Sequence, residues 1–147
     1  MDNHVNLIKL CVGAERVEDL TRWQTNARAK GPDGLPRHVT RMWPKRATEI
    51  LNGGSLYWVF KGVVLARQRI IRLDEVLGQD GITRCGIVLD PEVYRTETMP
   101  KRPFQGWRYL DPQVSPRDLT SDASRRRATE DRLPPKLEAA LAEIGVR

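Results

Sequence analysis

Between residues 53 and 90, β-prone stretches alternate with short turn signals, and nothing else in the chain constrains its fold as much. Residues 55–61 (SLYWVFK) are aromatic and β-branched, and Lys61-Gly62 reads as a tight turn. Residues 63–76 are long for one strand and are expected to bend or bulge near Gln68. Asp80-Gly81 is a hairpin signal, after which residues 82–90 (ITRCGIVLD) run back. Strands joined by turns this short pair antiparallel, because a parallel return needs a crossover of roughly a dozen residues or more.

The flanks add helices to this sheet. Residues 5–11 (VNLIKLC) read as a buried strand stopped by Gly13. Over residues 15–29 the period changes: Val17, Leu20, Trp23 and Ala27 recur at helical spacing, and Glu15, Glu18 and Asp19 crowd the first turn, where the helix dipole favours acids. Gly31-Pro32-Asp33-Gly34 breaks the chain, and residues 37–43 (RHVTRMW) give the next strand. Pro44 suits the first position of a short helix with Ala47, Ile50 and Leu51 on its apolar face and Asn52-Gly53-Gly54 at its end. Residues 104–110 (FQGWRYL) are the last core strand. The expected fold is α+β: a small, mostly antiparallel curled sheet or β-barrel, with two short helices and a C-terminal helix. A chain of 147 residues holds one domain of common size, placed at residues 1–110. Residues 111–133, with Arg125-Arg126-Arg127, have the composition of an exposed, disordered linker. Residues 134–147 are expected to form an amphipathic helix with Leu137, Ala140, Leu141 and Ile144 on one face.

Charge narrows the function. The net charge is +6, and residues 37–75 carry eight basic against three acidic side chains, while the segments on either side are near balance. A local basic excess is the footprint of a phosphate-bearing partner. No apolar run approaches the roughly 20 residues of a bilayer span, and residues 1–10 lack the features of a secretory signal, so a cytoplasmic setting without membrane contact is expected. Cys11 and Cys85 sit in apolar runs and read as reduced, buried thiols. His4, His38 and the two cysteines lack metal-ligand spacing, and no P-loop, dinucleotide fingerprint or nucleophile elbow is present, so no metal or cofactor is expected.

Two stretches carry a resemblance. Trp43-Pro44 through Asn52-Gly53, and residues 100–107 (PKRPFQGW), resemble in order and spacing the ASCH domain of the PUA-like superfamily of small β-barrels, over about residues 37–110. The segments HVTRMWPKR, GGSLYWVFKG and RPFQGWRYL are also similar, over nearly the full length, to an uncharacterised alphaproteobacterial family of unknown function. The ASCH resemblance implies RNA or nucleotide binding in a cleft beside the short helix. One branch of that family hydrolyses amides on modified cytidines. Its Gly-x-Lys-x-x-Glu stretch falls at residues 54–59, where Leu56 and Val59 replace the lysine and the acid, which speaks against catalysis.

The expected function is therefore RNA or nucleotide binding. Arg41, Trp43, Lys45, Arg46, Tyr57, Lys61, Arg67 and Arg69 are the expected contacts, with cations on phosphates and an aromatic ring stacked on a base. The alternative is a small hydrolase of a modified nucleobase using Thr40, Lys45 and Glu49 in the same cleft. A third reading is an adaptor that docks a partner through the C-terminal helix.

Overall fold

The computed structural model of the protein describes residues 3–119. The chain divides into two units, Met1–Arg117 and Asp118–Arg147, and the fold below is that of the first. Most of the expected linker, with its arginine triplet, and the expected C-terminal helix lie outside the described residues.

The fold is α+β. Seven strands, β1 (Asn6–Leu10), β2 (Arg37–Thr40), β3 (Ser55–Phe60), β4 (Val63–Leu77), β5 (Thr83–Leu89), β6 (Tyr94–Pro100) and β7 (Trp107–Leu110), form one mixed sheet. Its order is β2-β5-β4-β3-β1-β7, with β6 added beside β4. Only β1 and β3 are parallel; the crossover between them contains α1 (Val17–Gln24), β2 and α2 (Ala47–Ile50). Lys61 and Gly62, at φ +46° and +84°, make the two-residue turn from β3 to β4. The fifteen-residue β4 serves two partners: its first half pairs with β3 and β6, its second with β5. Its register slips at Leu65 and Ile71, on either side of Gln68, and such bulges bend and twist a strand. The sheet curls enough for His38 of β2 to meet Trp58 of β3 edge to face at 6.3 Å, although β5 and β4 lie between their strands.

Both faces of the central strands are covered. Leu7, Leu56, Trp58, Phe60, Ala66, Ile70, Ile87 and Trp107 pack on the inner face with Val17, Leu20 and Ile50 from the helices. Ile8, Tyr57, Val59, Val64 and Leu110 form a smaller outer cluster against Met99 and Phe104. No helix among the described residues is long and apolar enough to cross a membrane.

Several elements differ from expectation. α1 spans only two turns and is followed by a separate 3-10 turn at Ala27–Ala29. Val17, Leu20 and Gln24 face the sheet, and Trp23 lies about 90° away around the helix, so it is exposed. Pro44 precedes α2 rather than starting it, because a turn at Lys45 and Arg46 intervenes. The strand expected over residues 37–43 ends at Thr40 and the one expected from residue 104 starts at Trp107. β6 gave no signal: in YRTETMP only Thr96 is fully buried, so the strand has no apolar alternation. Cys85 is buried as expected, whereas Cys11 is half-buried.

Candidate nucleic-acid interface

The chain leaves β2 at Thr40, whose Oγ1 accepts a hydrogen bond from the Met42 N–H at 3.2 Å, and turns a corner into α2. Two aromatic residues of β7 hold this corner. The Trp107 indole N–H donates to the Met42 carbonyl at 2.8 Å. The Tyr109 hydroxyl accepts from the Lys45 and Arg46 N–H groups at 2.8 and 3.2 Å. Spaced two apart on one strand, these rings share a face and meet edge to face at 4.9 Å.

Arg46 is fixed in place. Its Nε and Nη2 donate to both carboxylate oxygens of Glu49 at 2.9 and 2.7 Å, and its guanidinium lies 5.3 Å from the Tyr109 ring centroid. The pairing raises the Arg46 pKa and lowers that of Glu49. Arg46 therefore presents little net charge. Glu49 is occupied as its anchor, and the Thr40 hydroxyl is engaged with the Met42 N–H. Arg41, Met42, Trp43 and Lys45 are exposed, and among the described residues neither Arg41 nor Lys45 has an ion-pair partner.

The eight expected contacts do not share one surface. Lys9 of β1 lies opposite both Trp58 and Trp107, whereas Ile8 lies opposite Tyr57, so Tyr57 faces away from the Trp107–Tyr109 side. Arg67 lies opposite Tyr57 and Arg69 opposite Ser55, on that same far face. Tyr57 is buried, only 6% exposed, and offers no ring for stacking. Arg67 donates to Ser55 Oγ at 2.8 Å and covers the Tyr94 ring at 4.6 Å, while Arg69 is exposed. Lys61 sits at the β3–β4 turn, paired with Glu15 at 3.0 Å. Arg41, Trp43, Lys45 and Arg46 stay together at the corner; the other four fall elsewhere because alternation and the hairpin separate them.

Sequence reasoning missed two groups on the corner's face of the sheet, Lys9 and His38. Lys9 belongs to the inner row with Leu7, and this lysine in an otherwise apolar alternation was the available signal. Burial lowers the Lys9 pKa. Burial, with the nearby Lys9 charge, pushes the His38 imidazole down to about 4. An unfolded chain takes up that proton near pH 6.5, so it binds more protons than the folded chain between the two values. Stability is accordingly full above about pH 6.5 and falls as pH drops toward 4, by up to about 3 kcal/mol. Denaturant melts from pH 7 to 4.5 should show this slope, and His38→Phe should flatten it. An unchanged slope in the variant would assign the effect elsewhere.

Residues 7–147 match the profile of a family described as protein of unknown function (DUF1489). The chain belongs to the DUF1489 family. The match takes in every strand from β2 to β7 and nearly all of β1, so corner, sheet and hairpin are parts of one DUF1489 unit. No curated protein and no solved structure matches the chain.

Proposed function

We propose that this protein binds single-stranded nucleic acid, RNA foremost, at the β2–α2 corner. One observation carries the reading. Trp43, 38% exposed, stands between two cations, Arg41 and Lys45, that lack ion-pair partners among the described residues, on a corner that Trp107 and Tyr109 hold rigid. An exposed indole stacks on any base, and cations at this spacing take the flanking phosphates. Arg46, neutralised by Glu49, positions the corner rather than contacting phosphate. The likeness of residues 37–110 to ASCH domains supports the same ligand class, in a PUA-like relative from an alphaproteobacterium. Two free cysteines suit a reducing compartment, and we place the protein in the cytoplasm.

Filter binding of a 12-nucleotide single-stranded RNA across a salt series tests this. Trp43→Ala should weaken binding by about 1–3 kcal/mol. Arg41→Ala with Lys45→Ala should flatten the slope of log K against log salt by about 1.4, the contribution of two phosphates on a single strand. Arg28→Ala, an exposed cation on the 3-10 turn, should change neither. Absence of binding at low salt, or full binding by Trp43→Ala, overturns the reading.

A further inference from the structure

Away from the corner, a cavity of about 320 Å³ opens where β1 and β3 end. The two strands are parallel, so both release their chains here, β1 into the loop toward α1 and β3 into the Lys61-Gly62 turn. Leu10, Val59 and Pro103 line the cavity with apolar surface, and the Cys11 thiol joins them. An apolar cavity of about 150 Å³ accommodates benzene, so this one has room for a body of about ten non-hydrogen atoms.

The lining also carries charge. Lys61 and Lys101 both border the cavity, together with Glu15. Glu15 pairs with Lys61, and among the described residues no carboxylate pairs with Lys101, so one positive charge is left over. The backbone at the two lysines is held together, because the Lys101 N–H donates to the carbonyl of Gly62, the residue after Lys61, at 2.8 Å.

The backbone at Lys61 is a separate observation. Its φ of +46° is in the left-handed region, and it is the one non-glycine residue there among the described residues. The first position of such a turn is ordinarily Asn, Asp or Gly, and a lysine costs roughly 1 kcal/mol there. Folding alone would favour the ordinary residue. What the lysine adds is a cation at the cavity, and strain of this kind concentrates at binding sites.

We propose that this cavity binds a small amphipathic anion, an apolar body carrying one carboxylate. The body lies against Leu10, Val59 and Pro103, and the carboxylate sits between Lys61 and Lys101. Glu15 pairs with Lys61 and so competes with the incoming anion. Burial pushes the Cys11 thiol up to about 11, so it stays neutral and acts as apolar lining. This proposal is independent of the nucleic-acid reading.

Octanoate is the probe, with octanol as its neutral counterpart, titrated calorimetrically into the full chain. Iodoacetamide labelling of Cys11 at about pH 9, where enough thiolate forms despite the raised pKa, reports the location, since Cys85 is fully buried. Octanoate should bind saturably and slow Cys11 labelling in step with occupancy. Octanol should bind about tenfold more weakly, the loss expected for a charged hydrogen bond. Lys61→Gly fits the turn better, so it should melt no lower than the wild type yet bind octanoate about tenfold more weakly. Glu15→Gln removes the competitor and should tighten binding by about 1.5- to 5-fold. The proposal fails if octanol matches octanoate, if Lys61→Gly binds as well as wild type, if Cys11 stays unprotected at saturation, or if no saturable binding is found.

Discussion

Gln68→Leu should destabilise the protein by about 3 kcal/mol, although leucine is apolar and close in volume. Gln68 is fully buried on the inner face of β4 and bonded on both sides of its amide. Its Oε1 accepts from the Trp58 indole at 2.9 Å and from Gln24 Nε2 at 2.8 Å. Its Nε2 donates to Gln24 Oε1 at 2.7 Å and to the Asp90 carbonyl at 3.0 Å. One amide thus joins α1, β3, β4 and the end of β5. Leucine replaces none of these bonds and leaves the Trp58 N–H and the Asp90 carbonyl without their partner; each such orphan costs about 1–3 kcal/mol. Gln24 is only part-buried and can turn to water, so Gln24→Leu alone should cost about 1 kcal/mol. The double variant should be less destabilised than the sum of the singles by about 1 kcal/mol, because the Gln24–Gln68 pair is counted in both. Urea melts of the four proteins measure this. A loss under about 1 kcal/mol for Gln68→Leu would mean water takes over its role.

What could be read from the sequence follows from how locally each feature is determined. The β3–β4–β5 meander was legible because Lys61-Gly62 and Asp80-Gly81 mark turns in the chain itself. The curl of the sheet followed from short strands and an overlong β4. β6 was not legible: it is polar and held by backbone pairing to β4, a partner far along the chain. The site was legible only in part for the same reason. Arg41, Trp43, Lys45 and Arg46 are neighbours in sequence and remain neighbours in space. Tyr57, Arg67 and Arg69 were grouped with them by charge and aromatic content, but the cross-strand register that places them on the far face cannot be read from those. The anchoring of the corner was not legible either. That Trp107 and Tyr109 reach back some 65 residues to hold Met42 and Lys45 is tertiary information.

Gly54→Ala should cost about 3 kcal/mol and lower the melting temperature by roughly 12 °C. The reason is space and not conformation, since Gly54 is not among the residues with positive φ. A Cβ there would lie 2.3 Å from the Val5 carbonyl oxygen, 2.6 Å from the Ile50 carbonyl oxygen and 3.2 Å from Ile50 Cα. All three are backbone atoms, so no side chain can rotate away. They are also held in place: the Gly54 N–H donates to the Ile50 carbonyl at 2.8 Å, and the Val5 N–H donates to the Glu49 carbonyl at 3.3 Å. Directly after them, the Ser55 N–H donates to the buried Asn6 side chain at 2.9 Å. The end of α2, the start of β1 and the start of β3 therefore meet at one point, and a methyl group must separate them. Gly34 provides the contrast. Its φ is +82° and a Cβ there would meet nothing within 4 Å, so Gly34→Ala should cost only the left-handed strain of about 1 kcal/mol. Because the end of α2 leads from the β2–α2 corner, Gly54→Ala should also weaken the proposed RNA binding, whereas Gly34→Ala should not. Equal losses of stability in the two variants would show that the joint between α2, β1 and β3 yields more readily than its hydrogen bonds imply.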